Sequence, residues 1–534
     1  MKILAVIPAC EGSLVFPNKN IRIVNGKPLI YYVIYNAKQS KYITDIIVTT
    51  NSDEIINIAK QMGVKTKLRD DFLCNVNTSL DTVVYDVVND FEVDEFDYVV
   101  TMQSISPTLK VTTLDAAIEQ CILDGFDTTI SVYPFQKYFW EKQDVPLPLR
   151  DVRVNRNKLK PLYAETGAFL ISKREFITEK TRIGNNVNLY ELNADEAVDV
   201  YCFGDLKQVE NILGRKSVAI YVNGNNSIGL GHIYRVIQLA DELFSRPDIY
   251  FDKNQTDISS FGKTTHNLVP VDGIDGLFST LRGRSYDIFI NDILSTNSSY
   301  MRSLKEILPN CRIVNFEDEG TGATFADVVF NALYEDEYES NVKAGEKYFI
   351  ASKLFLLYKP VSINEKVKNI LVTFGGADPQ NYTEKLLDII LGEEYKDYNF
   401  YVVLGKAKSN IDSIISKIKN KNIHFMHNIS NMAEVMSKCD IAFTSRGRTG
   451  FELVFMGVPT VSIAQNSREE RHNFLCEDNG VTYLGFNPSI EVIQHSLDTH
   501  IYMSKNERES IQRKMLAKDL RNGRKNVMNI ILNL

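Results

Sequence analysis

The sequence lacks paired cysteines. Its seven cysteines are scattered, odd in number and never spaced as Cys-x-x-Cys, which excludes a zinc ribbon and a disulfide framework and is typical of a reducing cytosol. No stretch reaches the roughly 18 apolar residues that a membrane span requires. The opening segment MKILAVIPACEG has too short an apolar run for a signal peptide. We therefore expect a soluble, cytoplasmic protein without a membrane span.

An excess of positive charge is also absent. The formal net charge is -8, which argues against a general nucleic-acid or membrane-surface binder. The composition, 44% hydrophobic and 24% charged, is that of an ordinary globular protein. A chain of 534 residues exceeds the roughly 250–300 residues that one core supports, so we expect about three folded units.

Apolar strands alternate with helices along the whole chain. Residues 2–8 predict a buried strand that opens onto a glycine loop, and the same strand, loop and helix begin again near residues 217 and 368. This alternation favours an α/β fold with mostly parallel sheets covered on both faces. We predict three units, a first domain over 1–213 and two lobes of a second domain over 217–360 and 361–534.

The loop after the first strand carries residues suited to phosphate binding. In IPACEGSLVFPNKNI, residues 7–21, Gly12 and Ser13 allow backbone amides to approach a phosphate, while Lys19 and Asn20 supply a cation and an amide. Ligands bind at the carboxyl ends of parallel strands, where this loop lies. A glycine loop after a strand is weak evidence by itself.

The first 212 residues resemble the CMP-sialic acid synthetase (acylneuraminate cytidylyltransferase) family. The opening loop shows the resemblance, and matching segments follow in order: VTTNSDEI at 48–55, RDDFLCNVNTSLDTV at 69–83, MQSISPT at 102–108, ETGAFLISKREFI at 165–177 and AVDV at 197–200. The resemblance implies a Rossmann-like nucleotidyltransferase fold, similar to glycosyltransferase-A. It implies that CTP and a nine-carbon sugar acid give a CMP-sugar and pyrophosphate. It also implies a homodimer.

The resemblance assigns roles residue by residue. Lys19 would act on the triphosphate and Asp199 would hold Mg²⁺, which stabilises charge on the leaving pyrophosphate. Nucleotide binding would involve Gly12, Ser13, Asn20 and Arg69. Substrate binding would involve Gln103, Glu165 and Thr166.

Five positions depart from the family pattern, and two of them are Asn51 in place of an aspartate and Leu109 in place of an arginine. Cys10 replaces the loop arginine, Leu14 replaces the loop lysine, and Tyr201 replaces the second carboxylate of the metal-binding Asp-x-Asp. Each 1.36 kcal/mol of lost transition-state stabilisation is a tenfold loss of rate, so these changes bear on activity. Two hypotheses remain: an active cytidylyltransferase, or a degenerate binding or scaffolding module with activity only in the second domain.

The loop SIGLGHIYR, residues 227–235, contains the first candidate catalytic residue of the second domain. Gly229 and Gly231 permit a tight turn, and His232 falls at the start of a helix. The positive helix end favours a neutral imidazole, so His232 is a candidate base. On spacing alone, a histidine that caps the helix is the alternative.

Further segments resemble the UDP-sugar hydrolase of pseudaminic acid biosynthesis and glycosyltransferases of spore-coat polysaccharide synthesis. They are the G-x-G-H-x-x-R pattern, VTFGGADPQNYT at 372–383 and NMAEVMSKCDIAFTSRGRTGFELVFMGVPTVSIA at 431–464. The resemblance implies a two-lobed glycosyltransferase-B fold that binds a UDP- or CMP-sugar in its cleft. Gly375 and Gly376 would approach the phosphates, Glu452 would bind the ribose, and His232 would activate water.

This domain also departs from the hydrolase. Tyr221 and Asn223 replace an Arg-x-Asp pair, and Arg446 and Arg448 add positive charge where phosphates are expected. Because the nucleotide-binding elements remain, the changes indicate a different sugar or acceptor. Hydrolysis and glycosyl transfer both stay open.

Overall fold

The computed structural model describes residues 1–534 except 11–15, 76, 91–95, 143, 151, 226–229, 335–338, 406, 407, 419, 428 and 430. The chain divides into two compact units, Met1–Arg215 and Lys216–Leu534. The predicted α/β class is confirmed, since each large sheet is built mainly from parallel strands with helices between them. Within the described ranges, no helix has the length and apolarity to cross a membrane.

The first unit is a seven-stranded sheet in the order β11-β7-β10-β6-β1-β4-β5. The seven strands of this sheet are β1 (Ile3–Pro8), β4 (Asp45–Thr50), β5 (Lys65–Leu68), β6 (Tyr98–Thr101), β7 (Thr128–Phe135), β10 (Leu162–Lys173) and β11 (Val187–Glu191). Two small sheets lie outside it and pair β2 (Ile23–Val24) with β3 (Lys27–Pro28) and β8 (Trp140–Glu141) with β9 (Leu147–Pro148). Its helices are α1 (Leu29–Gln39), α2 (Asp53–Gln61), α3 (Leu80–Val88), α4 (Val111–Leu123) and α5 (Phe203–Leu213).

The central strand β1 is flanked by β4 and β6, and both pairs are parallel. All six residues of β1 are buried because helices cover both faces of the sheet, as its unbroken apolar sequence predicts. The carboxyl ends of β1, β4 and β6 therefore lie at one edge. Strand β10 runs antiparallel between β6 and β7, with an irregularity between Glu165 and Leu170.

The second unit begins with a parallel sheet in the order β14-β13-β12-β15-β16-β17-β18. Its strands are β12 (Val218–Val222), β13 (Asp248–Asp252), β14 (Asn267–Val271), β15 (Ile288–Asp292), β16 (Arg312–Phe316), β17 (Val328–Asn331) and β18 (Val342–Ala344). Its helices are α6 (Gly231–Ala240), α7 (Gly273–Leu281) and α8 (Ser298–Ile307). The ends of β12, β15 and β16 are neighbours.

A second parallel sheet, in the order β21-β20-β19-β22-β23-β24, completes this unit. Its strands are β19 (Asn369–Thr373), β20 (Asn399–Leu404), β21 (Ile423–His427), β22 (Ile441–Ser445), β23 (Thr460–Ala464) and β24 (Val481–Phe486). Its helices are α9 (Tyr382–Ile390), α10 (Ile411–Lys417), α11 (Met432–Met436), α12 (Arg448–Met456), α13 (Ile490–Tyr502), α14 (Lys505–Leu516) and α15 (Gly523–Leu532). Two doubly wound lobes in one unit are the architecture that the glycosyltransferase-B resemblance implies.

The last helix corrects the predicted lobe 361–534. In α15, Val527 and Ile531 are buried in the core of the first lobe with strands such as β12. The helix approaches the first lobe so closely that only glycine fits at position 523, because a Cβ there would collide with the Phe349 carbonyl oxygen. The chain therefore crosses back, and the apolar face of α15 is the physical reason.

Candidate active sites

Asp199 is the most enclosed carboxylate among the predicted residues of the first unit. It accepts a hydrogen bond from the Ser106 hydroxyl, and the Gly167 amide donates to both its oxygens at 3.0 and 3.1 Å. Burial raises the pKa of Asp199, while Ser106, Gly167 and Lys19 act in the opposite direction. Gly167 is required for this approach, because a Cβ there would lie 2.7 Å from the Ile105 side chain.

Lys19 and Asn20 join the loops that follow β1 and β6. Asn20 donates to the Cys10 carbonyl at 2.8 Å and accepts from the Ser104 hydroxyl at 2.5 Å. The Lys19 ammonium lies 5.8 Å from the centre of the Tyr201 ring. Burial lowers the pKa of Lys19, and nearby Cys10 and Asp199 act to raise it. The structure therefore brings Lys19, Asn20 and Asp199 together, and their roles stay predictions.

The other predicted site residues of the first unit have contacts mainly with the backbone and side chains of the sheet. Arg69 is buried and donates to the Thr49 carbonyl at 2.6 Å, which fixes it against β4. The Thr166 hydroxyl lies 2.7 Å from that of Ser131. The backbone N–H of Gln103 donates to the Gly167 carbonyl at 2.9 Å, beside Asp199, whereas Glu165 is exposed on β10. Gly12 and Ser13 lie outside the described residues, as does Gly229 of the second unit.

The donors around Asp199 do not fit a resident Mg²⁺. Both carboxylate oxygens already accept hydrogen bonds, an ammonium is close by, and Tyr201 stands where a second carboxylate would help. Across the part of the chain that the structure describes, three or more His, Cys, Asp or Glu side chains never gather as a metal site. A metal that enters with a nucleotide would need the phosphates for most of its ligands.

His232 and Asp292 form a buried pair in the second unit. His232 lies at the start of α6, after β12, and Asp292 ends the adjacent β15, so the strand order brings them together. The His232 Nδ1 is 2.5 Å from Asp292 Oδ1, and these residues are only 6% and 0% exposed. Donation from Nδ1–H to the carboxylate leaves Nε2 as the acceptor, the form a general base needs.

Arg235 holds Asp292 in place from one turn further along α6. Its Nε and Nη2 donate to the two Asp292 oxygens at 2.7 and 2.6 Å, and Nη1 donates to Glu317. Although burial opposes ionisation, Arg235 and His232 keep the pKa of Asp292 below its ordinary value. Burial likewise opposes ionisation of Glu317, yet Arg235, His232 and Arg448 hold its pKa well below the ordinary value.

The glycine loop of the second lobe follows β19. Gly375 has a φ of 77°, which explains glycine there. A Cβ at Gly376 would meet no described atom within 4 Å, so the described residues leave room for a ligand. Gly405 allows the loop to pack closely, since a Cβ there would collide with the carbonyl oxygens of Gly375 and Gly376.

The two arginines of the RGRTG loop behave differently. Arg446 donates to the carbonyls of Leu475 and Glu470 at 3.3 and 2.5 Å and lies 3.6 Å from the centre of the Tyr483 ring. These contacts hold Arg446 within the second lobe, and its role beside the phosphates stays a prediction. Arg448 reaches the first lobe and donates to the Ile350 carbonyl at 2.8 Å.

Contacts between the lobes include residues that sequence reasoning missed. Arg468 donates to the Tyr334 hydroxyl at 2.9 Å and to the Glu317 carbonyl at 3.0 Å, and Arg471 forms two hydrogen bonds of 2.8 and 2.7 Å with Glu319. In the sequence, Asp292 and Glu317 follow apolar runs, which fits residues that line a cleft and, more often, loop or cap residues. Their position after adjacent strands was the available signal.

The carboxyl of Glu452 should make the free energy of unfolding depend on pH. Burial raises its pKa from 4.5 to about 7, against the effect of Arg448. In the unfolded chain Glu452 ionises near pH 4.5, whereas in the folded chain it stays protonated up to about pH 7. The free energy of unfolding therefore falls as the pH rises from 4.5 to about 7. Glu452→Gln should remove a fall of about 3 kcal/mol in the free energy of unfolding over this range, measured by urea denaturation.

The matched control is Glu434→Gln, a change at an exposed carboxylate on α11. It should leave the pH dependence as it is in the native chain. An unchanged fall in Glu452→Gln would contradict the assignment of the raised pKa.

Comparison with known proteins places the first unit in a family. The Cytidylyltransferase family model matches residues 4–227. The CMP-N,N'-diacetyllegionaminic acid synthase of Legionella pneumophila is 31% identical over 213 residues, covering 38% of this chain and 91% of that protein. The chain therefore belongs to the cytidylyltransferase family.

Three further relatives extend the similarity beyond the first unit's length. The Helicobacter pylori protein named pseudaminic acid cytidylyltransferase and UDP-2,4-diacetamido-2,4,6-trideoxy-beta-L-altropyranose hydrolase is 23% identical over 487 residues, covering 86% of this chain and 88% of that protein. The Bacillus subtilis spore coat polysaccharide biosynthesis protein SpsG is 27% identical over 265 residues, covering 46% and 77%. An uncharacterized Methanocaldococcus jannaschii protein is 30% identical, and the match spans 56% of its length.

Proposed function

We propose that the chain is a bifunctional sugar-nucleotide enzyme of nonulosonic-acid or surface-polysaccharide biosynthesis. The first unit transfers a cytidylyl group from CTP to a sugar acid of the sialic, pseudaminic or legionaminic type. The second unit hydrolyses a UDP- or CMP-sugar or transfers its sugar. Similarity over 86% of the chain to the Helicobacter pylori protein, whose name joins these two kinds of activity, supports the pairing.

The hydrogen bond between His232 and Asp292 is the observation that carries the proposal for the second unit. With Nδ1–H held by Asp292, His232 Nε2 accepts a proton from water or from an acceptor hydroxyl. The oxygen that loses this proton attacks the anomeric carbon, and the bond from that carbon to the nucleotide phosphate oxygen breaks. The nucleotide leaves with the bonding electrons. Hydrolysis and transfer differ only in the oxygen that attacks.

Glycine loops and Glu452 complete this proposal on the nucleotide side. Gly375 and Gly376 approach the phosphates, together with Gly229 and Gly231 of the first lobe. Glu452 binds the ribose, as the resemblance implies. Its position on α12, one turn after Arg448, supports a place at the same side of the cleft.

Lys19 is the central residue of the proposed cytidylyl transfer. The sugar-acid hydroxyl attacks the α-phosphorus of CTP, and the bond to pyrophosphate breaks. Lys19 and Asn20 bind the triphosphate while Gln103, Glu165 and Thr166 bind the sugar acid. Mg²⁺ would enter with CTP and take most of its ligands from the phosphates, with Asp199 as the predicted protein contact.

Replacement of Lys19 tests the first activity. We expect Lys19→Met to lower pyrophosphate release from CTP, Mg²⁺ and a panel of nonulosonic acids about 10- to 100-fold, because one cation beside the triphosphate is lost. The control Lys27→Met changes an exposed lysine nearby and should have no effect. Equal rates in both variants would contradict the role of Lys19.

The alternative for this unit is a non-catalytic binding or scaffolding module. The hydrogen-bonded state of Asp199 and the Tyr201 and Cys10 replacements favour it. In that case the native chain releases no pyrophosphate with any sugar acid. Tyr201→Asp, which restores the second carboxylate, then separates a lost metal site from a lost sugar site.

Location and assembly follow from the proposed substrates and the family resemblance. The proposed enzyme needs neither a nucleic-acid partner nor a membrane contact. In the cytoplasm it would meet CTP where CTP is made. The homodimer stays a prediction from resemblance, and light scattering of the full chain tests it.

A further inference from the structure

Arg448 lies where the positive ends of two helices meet. It is the first residue of α12, and its Cδ is 3.1 Å from the Cβ position of Gly231, the first residue of α6. Neither helix has a side-chain hydrogen bond at its N-cap. Each N-terminus carries about half a positive charge, so two of them beside a guanidinium form a strongly positive region.

The Arg448 guanidinium is held in a fixed orientation. Nη2 donates to the Ile350 carbonyl at 2.8 Å, and the Phe349 ring centre is 4.7 Å from the guanidinium carbon. The other terminal nitrogen, Nη1, is buried and has no hydrogen-bond partner among the described residues. A buried donor without a partner is costly, so a fixed Nη1 is a place where a ligand acceptor gains free energy.

The carboxylates near Arg448 leave its Nη1 without a hydrogen-bond partner among the described residues. The closest oxygen of Glu317 is 3.8 Å from Nη1, beyond hydrogen-bond distance, and it already accepts a hydrogen bond from Arg235. Glu452, the other nearby carboxyl, has its pKa raised by burial to about 7 and is therefore partly protonated near neutral pH. Arg235 and Asp292 also lie in this cluster, so the ionised side chains roughly balance one another. A bound anion would therefore be attracted by the Nη1 donor and by the two helix N-termini.

We propose that Arg448 is the anion-binding residue of the second unit and that Nη1 donates to a phosphate or carboxylate oxygen of the substrate. This deepens the proposed function, on which it rests, because Gly231 places the anion next to His232. A phosphate there would be the one that leaves with the nucleotide. A carboxylate there would belong to the sugar acid of a CMP-sugar. Arg235 cannot supply this charge, since its three guanidinium nitrogens donate to Asp292 and Glu317.

The test is direct binding to the full chain by calorimetry, with UDP, CMP, pyrophosphate and N-acetylneuraminic acid as probes. All variants carry Lys19→Met, which suppresses binding at the first unit. Arg448→Met removes the charge and keeps the length of the side chain. The control Arg471→Met removes an exposed interlobe arginine that is paired with Glu319.

We expect Arg448→Met to weaken at least one probe about 10- to 100-fold, the effect of one charge-assisted hydrogen bond, and Arg471→Met to change each by less than about twofold. Loss confined to UDP, CMP and pyrophosphate identifies a phosphate, and loss confined to N-acetylneuraminic acid identifies a carboxylate. Equal affinities in the two variants would overturn the proposal. So would the absence of binding of every probe to the Lys19→Met chain.

Two readouts distinguish an anion site at Arg448 from a structural role of this arginine and from the role of His232. Thermal unfolding of Arg448→Met reports a structural role, because a merely structural arginine would lower the melting temperature and leave affinities unchanged. Sugar release by His232→Ala reports the proposed base. If that variant keeps full turnover while Arg448→Met loses binding, the base assignment fails and the anion site stands.

Discussion

Replacement of His232 by alanine should lower the rate of nucleotide-sugar cleavage by about 10²- to 10⁴-fold, the usual contribution of a general base. The reason is the buried 2.5 Å contact with Asp292, which orients the ring and leaves Nε2 to accept the proton. Release of UDP or CMP from a panel of nucleotide sugars is the measurement. The same assay in H₂¹⁸O distinguishes hydrolysis, which labels the sugar, from transfer, which does not.

A second histidine provides the matched control. His424→Ala changes an exposed ring on β21 and should leave turnover unchanged. Asp292→Asn should give an intermediate loss and a changed pH profile, because Asp292 is a positioning residue that acts through His232. Full turnover in His232→Ala would show that the histidine serves only as a structural partner of Asp292.

Much of the fold could be predicted from local sequence. The apolar run over 2–8 became the buried central strand β1, and the restart near 217 became β12. Such strands are recognisable because a parallel strand covered on both faces is apolar throughout. The return of α15 to the first lobe was not predictable, since its apolar face does not specify which core it joins.

The candidate sites were predictable only in part. Lys19, Asn20 and Asp199 were found by resemblance, and the strand order explains their meeting at one edge. Asp292 and Glu317 are 60 and 85 positions from His232 in sequence, by subtraction of their numbers, so no local pattern links them. They converge because β12, β15 and β16 are neighbours in the sheet. That order is decided by packing of the whole lobe.

Arg235 should have the largest effect on stability. Arg235→Met leaves the carboxylates of Asp292 and Glu317 buried without their principal cation, a change that typically costs about 3–5 kcal/mol. Arg471→Met breaks an exposed pair with Glu319 and should cost about 0–1 kcal/mol. Urea denaturation followed by far-ultraviolet circular dichroism measures both. Similar losses in the two variants would contradict the account.

The single tryptophan makes this experiment specific. Trp140 lies in the first unit, so its fluorescence reports that unit and should be unchanged by Arg235→Met. Arg235 depresses the pKa of both Asp292 and Glu317, so its stabilisation is present above their ordinary values of about 4 and is lost on acidification. The difference between Arg235→Met and the native chain should therefore shrink below about pH 4. A difference that stays constant with pH would mean that Arg235 stabilises the lobe by packing rather than by charge.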